Sequence, residues 1–473
     1  MSMTTAALAA PSAATRLRMR RRRSWVSALA LTLAGGTLAL LVISWLANGG
    51  IAAIGAPGGA ALTFGRLTGL VAADLLLMQV LLMARIPPLE RAWGQATLTR
   101  THRLVGMASF WLMLAHIVLI VAGYTQAGTL SLPGQIWDLV TTYPGMLLAV
   151  AGTLALIAVV GSSLRAARRR LRYESWHLIH LYAYLGVGLV LPHQLWTGAD
   201  FLAAPGMTLF WWSVWSAAAG AIVLFRLALP LGRSLLHRLV VESVTREASG
   251  VQSVVLRGSR MARLRPAPGQ YFQWRFLTGP GWTRSHPYSV SAVPGRDRMR
   301  ITMSTEGDEG SRLTRLRPGT RVLIEGPYGS LTADRRMHRD VLLLAAGLGV
   351  TPLRSLAEHI AAEGGSARHP RPSVIMLHRI SRPQEALFTA EWQALAGLHG
   401  IDARALVGPR GPGSSWMPAA IGNPARYLRA TVPGLPERDV FLCGPQDWMR
   451  RARTTLLALG VSRRAIHRES FGV

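Results

Sequence analysis

The sequence predicts a membrane-embedded helical bundle followed by two further domains, one a compact β domain and the other a parallel α/β domain. Half of the 473 residues are hydrophobic, and six apolar stretches reach the length that crosses a bilayer. After residue 232 the pattern changes from long apolar runs to short strands broken by Gly, Pro and charged turns.

The charge balance fits a membrane protein. The chain has 52 basic against 23 acidic residues, a formal net charge of +29, and no lysine, so every basic residue is arginine. Such a balance also marks nucleic-acid binders. Here, however, the arginines cluster beside apolar segments, where membrane topology accounts for them. Cys443 is the single cysteine, which excludes an internal disulfide, a cysteine-built zinc site and covalent attachment of a prosthetic group through CxxCH.

The apolar stretches lie at about 25–47, 65–84, 103–123, 143–163, 175–196 and 207–229. Arg16 to Arg23, then Arg85, Arg91, Arg100 and Arg103, then Arg165 to Arg172 fall on one side of the alternation, and the other side carries almost no positive charge. The positive-inside rule therefore puts both termini in the cytoplasm of a multi-pass cell (inner) membrane protein. The first stretch follows the basic run RLRMRRRR but is too long for a signal-peptide core, so it reads as an uncleaved helix. These features divide the chain into a basic tail (1–23), a six-helix transmembrane bundle (24–232), a β domain (233–335) and an α/β domain (336–473).

Two of the spans carry histidines. His102 and His116 lie about 21 Å apart along one helix and return to within roughly 40° of the same face. In the fifth span, His180 and His193 cover about 20 Å but sit roughly 140° apart in an ideal helix. Pro192, with Gly186 and Gly188 upstream, supplies a distortion that re-aims the second ring. Since both spans run in the same direction, His102 pairs with His180 and His116 with His193. Each pair can clamp one haem iron, and two axial imidazoles suit electron transfer better than oxygen binding at the metal. His177, one turn nearer the cytoplasm, reads as an interfacial residue or a contact for a propionate.

In the β domain, RLVVESVTRE, SVVLRG, GQYFQWRF, RMRITMS and TRVLIEGPYG read as strands. From about 336, DVLLLAAGLGVTPLRSLAEHIAAEG, SVIMLHRI with EALFTAEWQALAG, and DVFLCGPQDWMRRARTTLLALG read as strand, turn and helix units. The 410–436 region, rich in Pro and Gly, reads as a loop excursion.

With its histidine spacings in the third and fifth spans, the chain resembles the ferric reductases and NADPH oxidases. That resemblance implies a bis-haem transmembrane domain, an antiparallel β-barrel FAD domain and a Rossmann-like α/β NADP domain, with His102, His116, His180 and His193 as ligands of two b-type haems. SHPYSVSA (285–292) is similar to the family's flavin motif: Tyr288 would pack on the isoalloxazine, Ser289 would bond its edge, and His286 would lie near the diphosphate, with Pro287 and Ser291 completing the segment. Gly310 and Ser311 open a short helix suited to that diphosphate. In AAGLGVTPLRSL, Gly347 and Gly349 let the backbone approach a pyrophosphate, followed by Thr351 and Pro352. Arg379 and Arg382 stand where relatives bind an adenosine 2′-phosphate, which favours NADPH while leaving NADH possible. Cys443, Gly444 and Pro445 match the motif beside the nicotinamide, and Phe471 matches the terminal aromatic that covers the flavin.

The resemblance implies an oxidoreductase that passes electrons from cytoplasmic NADPH through FAD and two haems to an acceptor outside. The expected acceptor is dioxygen, giving superoxide, and Arg66 at the outer start of the second span matches an arginine that oxidases place over the outer haem. The alternatives are a ferric chelate or a periplasmic partner protein. Ile120 stands where oxidases often carry a further histidine, a departure from their pattern. The expected associates are membrane lipid and a small-molecule acceptor, with no nucleic acid. No calcium-binding loop is present, which predicts constitutive activity.

Overall fold

The computed structural model describes residues 13–164, 167, 173–202, 204–279, 281–306, 310–364, 371–411 and 415–469. The chain divides into two compact units, one comprising Ser27–Ile86 and Thr97–Val223 and the other Met1–Val26, Pro87–Ala96 and Leu224–Val473.

Among the described residues, six helices are long and apolar enough to cross a membrane. They are built on α1 (Ala13–Ala47), α2 (Gly59–Met83), α3 (Gln95–Ala127), α4 (Met146–Ser163), α5 (Tyr173–Thr197) and α6 (Pro205–Ile222). Leu41, Leu70, Leu77, Leu156, Val187 and Trp211 form the buried layer of the first unit, while Trp111, Leu154, Leu178 and Leu209 remain exposed. Large apolar side chains turned outward are what a helix surrounded by acyl chains presents. Two helices begin earlier than hydropathy indicates, α2 at Gly59 and α3 at Gln95. An apolar count marks only the part of a helix in hydrocarbon, whereas the backbone stays helical into the polar interface until Gly58 or Gly94, both at positive φ, ends it.

In the second unit, α7 (Leu229–His237) leads into two three-stranded antiparallel sheets. The first sheet, in the order β1-β2-β5, is formed by Val240–Ala248, Val251–Arg257 and Arg298–Ser304. The second, in the order β4-β3-β6, is formed by His286–Ser289, Tyr271–Phe276 and Val322–Tyr328. Isolated bridges Val240↔Arg321 and Val290↔Ile301 join the sheets along both edges. The two sheets pack as a barrel-like β domain around Phe272, Trp274, Phe276, Val254 and Ile301, joined at their edges by these single bridges and not by a closed ladder.

The α/β domain is a five-stranded parallel sheet in the order β11-β10-β7-β8-β9. Its strands are Val341–Ala346 (β7), Val374–Ile380 (β8), Asp402–Val407 (β9), Asp439–Cys443 (β10) and Ile466–Glu469 (β11). Helices α8 (Val350–Ala361), α9 (Thr389–His399) and α10 (Gln446–Ala458) complete it. β7 is buried at every position because both faces of a parallel sheet are covered. β9 and β11 are short edge strands with mixed burial, so their sequences lack the continuous apolar run that marks β7. The 410–436 region contains a helix, Pro424–Thr431, in place of the expected loop. Asn423 caps it by accepting from the Ala425 and Arg426 amides, and Pro424 stands at its first position.

The barrel and the α/β domain are tied by buried polar contacts. Ser355 on α8 donates to the Val290 carbonyl (2.9 Å) and accepts from the Gly269 amide (3.1 Å). Arg300 on β5 makes a two-pronged bond to Glu391 on α9 (2.6 and 2.9 Å), and Arg354 reaches the same carboxylate (2.7 Å). Bidentate guanidinium–carboxylate pairs of this kind fix orientation as well as proximity.

Candidate functional site

The histidines of the membrane unit come together in two levels. The His102 and His180 rings lie 6.1 Å apart, centre to centre, at 68°. Nδ1 of His102 bonds the Gln79 carbonyl (3.2 Å) and Nδ1 of His116 bonds the Gly65 carbonyl (2.8 Å), both on α2. A carbonyl can only accept, so each Nδ1 is the donor and each Nε2 keeps a free lone pair, the arrangement of a metal-ligating imidazole held by a backbone partner. With metal–nitrogen bonds of about 2 Å, two axial imidazoles on one iron have ring centres roughly 6 Å apart, so the His102–His180 pair fits a haem. His193 is within electrostatic reach of His116, although an ideal helix would turn it away. The helix carries Pro192, and Gly145 packs against the His193 backbone so closely that a Cβ there would stand 2.8 Å from its nitrogen.

One glycine makes room for the upper of these rings. A Cβ on Gly69 would stand 2.5 Å from Nδ1 of His116, so the α2 backbone forms the wall of the histidine's socket. The run GRLTG carried this signal in its two glycines four residues apart, the spacing that lets membrane helices approach. His177 is exposed, next to His180. Trp176, whose ring lies 5.1 Å from that of His180, donates to Ser163 (3.2 Å), which also contacts His180 Nδ1 (3.4 Å).

Arg66 does not present a free charge. Its guanidinium makes a two-pronged bond to Asp200 (2.7 and 2.5 Å), and Asn48 donates to the same carboxylate (3.3 Å). Asp200 is a site residue that its lone position in the sequence did not reveal. Ile120 packs near Gly65.

In the barrel, His286, Pro287, Tyr288 and Ser289 form β4, held by pairing with β3 and by Trp274 donating to the Tyr288 carbonyl (2.9 Å). The His286 and Tyr288 rings are nearly parallel at 6.1 Å. Ser289 is buried and its hydroxyl has no partner among the described residues, a polar group fit for the edge of a flavin. Ser291 is committed elsewhere: it accepts from Thr302 (2.8 Å) and from Arg300 (3.1 Å). Ser291 therefore holds the barrel to α9 through Arg300 and Glu391. Gly310 starts a four-residue helix and is buried. The Ser311 side chain lies outside the described residues.

The GLG turn and the CGP segment meet. Gly349 packs on the Cys443 carbonyl, where any Cβ would collide. Gly347, at φ +54, has open space on its Cβ side, so a ligand backbone can approach there. Thr351 donates to the Leu348 carbonyl (2.9 Å) and Pro352 is buried in α8, both shaping the turn. His378, not singled out from the sequence, is buried and donates through Nε2 to the Gly347 carbonyl (2.9 Å). Burial, partly offset by that bond, lowers its pKa to about 4, so it is neutral. Arg379 bonds the Gly408 carbonyl (3.3 Å), keeps a buried Nε without a partner, and has its pKa lowered by burial and by Arg410. Two arginines thus face one region, whereas Arg382 is largely exposed and bonds Glu385 (3.2 Å). Arg410 lay in the segment expected to be a loop.

Cys443 ends β10 fully buried, in register with Glu469 of β11, and Gly444 and Pro445 lead into α10. Glu469 accepts from the Ser330 and Leu331 amides (3.3 and 3.2 Å). Phe471 lies outside the described residues.

Residues 68–191 match the family described as the ferric reductase like transmembrane component. Among curated proteins, the chain is 28% identical over 239 residues to the stachydrine N-demethylase reductase subunit of Rhizobium meliloti, covering 49% of this chain and 66% of that protein. It is 29% identical over 254 residues to the ferredoxin reductase component of the 3-ketosteroid-9-alpha-monooxygenase of Mycobacterium tuberculosis, covering 51% and 67%. The chain is thus similar to a ferric-reductase-like transmembrane component in its first half and to ferredoxin reductase components of monooxygenase and demethylase systems over about half its length. The chain is also 28% identical over 243 residues to the flavohemoprotein of Xylella fastidiosa, covering 50% and 59%. It spans about two thirds or less of the length of these relatives. Among solved structures, the FAD/NAD-binding domain of a nitric oxide dioxygenase from Vibrio cholerae aligns at TM-score 0.40 and 24% identity, over 50% of this chain and 99% of that chain.

Proposed function

We propose that this protein is a transmembrane electron carrier that draws on cytoplasmic NADPH, holds one FAD and two b-type haems, and delivers electrons to dioxygen on the outer side of the cell membrane. The observation that carries the reading is the pairing of His102 with His180 at an axial-ligand separation, on helices that also carry the second pair. When bound, the flavin would accept hydride and release single electrons, and the haems would pass them across the bilayer.

The chain's own residues would do the rest. Gln79 and Gly65 fix the rings of His102 and His116 through their carbonyls. Ser289 and Tyr288 would orient the flavin edge and face, while the open backbone at Gly347 and the nearby Arg379 and Arg410 would receive the pyrophosphate and 2′-phosphate of NADPH. Phe471 would cover the flavin until nicotinamide displaces it. Cys443 would border the hydride path from beneath, as a buried, protonated thiol.

The charge of the outer segments favours dioxygen over a ferric chelate. Segments 48–58, 128–145 and 198–204 contain Asp138 and Asp200 but no arginine or lysine. Arg66 is neutralised by Asp200. With Asp200 paired to Arg66, Asp138 leaves this side one net negative charge and no arginine to attract an anionic chelate, whereas a small neutral acceptor needs no electrostatic steering. The test is NADPH consumption by the purified protein with oxygen alone, with a superoxide trap, and with ferric chelate under anaerobic conditions. Superoxide formation exceeding chelate reduction is expected, and the reverse order would replace dioxygen by ferric iron. Absence of the absorbance of low-spin bis-histidine haem, or unchanged haem content in His116→Leu, would remove the relay itself.

A further inference from the structure

Asp74 lies within α2, 1% exposed, and none of the roles above uses it. A carboxylate inside a membrane span is costly unless a cation or several donors meet it. Asp74 meets one donor. Thr37 on α1 bonds Oδ2 at 3.0 Å, and among the described residues the buried Oδ1 has no partner. No charged side chain among the described residues interacts with it. Residues 27–47 of α1, which reach Asp74 through Thr37, and the whole of α6, which packs on α2, contain no titratable group. On α2 itself the other such group is Arg66, eight residues away, and α3, whose Ser109 donates to the Ala72 carbonyl, carries Arg100, His102 and Arg103 toward one end and His116 and Tyr124 toward the other.

The Thr37 hydroxyl suits both protonation states of this acid. It lies 3.0 Å from Asp74 Oδ2 and 3.0 Å from the Ala34 carbonyl. With Asp74 ionised, the hydroxyl donates to Oδ2. With Asp74 neutral, Oδ2–H donates to the hydroxyl oxygen, which then donates to Ala34. The site can thus gain or lose a proton by turning one O–H bond, without repacking.

Its depth gives that proton a purpose. Asp74 is five residues from Gly69, which touches His116, and five from Gln79, which holds His102. Each interval is about 7.5 Å along the axis, so the acid sits midway between the two histidine levels, on the side of α2 turned roughly 140° away toward α1.

We propose that Asp74 is a proton-binding site inside the membrane whose occupancy follows the redox state of the two haem sites. Asp74 takes one proton from the aqueous phase onto a carboxylate oxygen when one electron enters, and returns it when that electron leaves. The proton neutralises, within the same low-dielectric layer, the negative charge that the electron adds. This rests on the haem reading of the four histidines.

The test is infrared difference spectroscopy on the full-length protein in lipid, oxidised and reduced, across pH. A carbonyl band of a protonated carboxyl that grows on reduction in the native protein, is missing in Asp74→Asn, and shifts in Thr37→Val is the expected result. Asp74→Asn should keep its haem absorbance and lose most of the pH dependence of the haem midpoint potentials. A haem-loaded native protein whose carboxyl band is the same in both redox states, or is unchanged in Asp74→Asn, overturns the proposal. Failure of the haem reading is seen separately, as missing haem absorbance, and a protein with no haem also removes the linkage. Should Asp74→Asn not fold, the Thr37→Val shift decides, since that variant leaves the acid in place and removes only its partner.

Discussion

Cys443 ends β10 with no exposed surface, and burial, reinforced by the nearby Glu469 carboxylate, pushes its thiol well above the usual range. A protonated, enclosed sulfur is a poor nucleophile. Iodoacetamide at pH 8 is therefore expected to leave the native protein unmodified and to add once after denaturation, read by intact mass. Glu469 shows the opposite face of the same burial. Burial raises its pKa from 4.5 to about 7, against the pull of the Leu331 and Ser330 amides and of Arg335. The folded state therefore holds a proton that the unfolded chain has lost between pH 4.5 and about 7. Stability should fall across that window, by roughly 3 kcal/mol at most, and the loss is complete above it. Glu469→Gln is expected to flatten this slope and to raise the melting temperature at pH 8 by on the order of several degrees, measured by thermal denaturation across pH. Both residues stand in a sequence whose motif was legible, HRES after CGP. Their depth was not, because it depends on the 329–331 turn that folds over them from the barrel.

At the scale of elements, α2 acts as the scaffold for the ligand helices. It offers two carbonyls to histidines on α3, and Gly69 leaves room for the His116 ring. Gly69→Val is expected to displace that ring and to cut haem content by about half, with the His102–His180 site retained, as read from the haem-to-protein absorbance ratio. Equal loss at both sites would instead mean that the bundle had failed to fold. The histidine spacing on α3 could be read directly, since a straight helix carries a fourteen-residue separation back to one face. On α5 the thirteen-residue separation could not be, because the outcome turns on the helix at Pro192 and on Gly145 pressing against it. The GLG and CGP turns behave alike: each motif was visible alone, but their contact through Gly349 and the Cys443 carbonyl exists only because β7 and β10 are neighbours in the sheet.

For the whole molecule, the asymmetry of charge predicts a direction. Arginine crowds the segments expected in the cytoplasm, the opposite segments carry two aspartates, and Arg66 is paired. Electrons delivered from inside to an outer acceptor move net negative charge outward, so turnover should be electrogenic. In proteoliposomes with NADPH supplied to the cytoplasmic face, a potential-sensitive dye is expected to report a membrane potential that collapses with an ionophore while NADPH consumption rises. An electroneutral turnover would contradict delivery to the far side. Salt dependence separates acceptors: reduction of an anionic ferric chelate should increase with ionic strength as repulsion is screened, whereas oxygen consumption should not respond.

Hydropathy, arginine placement and short glycine, histidine and proline motifs by themselves determined the spans, the order of domains and the candidate residues on each element, because these depend on local chain properties and on a bilayer's fixed thickness. Tertiary structure alone decided which of those residues hold a partner and which remain open. Ser289 keeps a free hydroxyl while Ser291, two residues on, spends its own on Arg300 and Thr302. Arg66 is neutralised by an aspartate 134 residues away, and Asp74 is left with a single hydroxyl between two histidine levels. Such outcomes rest on contacts between distant segments, and the free energy of a buried polar group is set by its partners rather than by its neighbours in the chain.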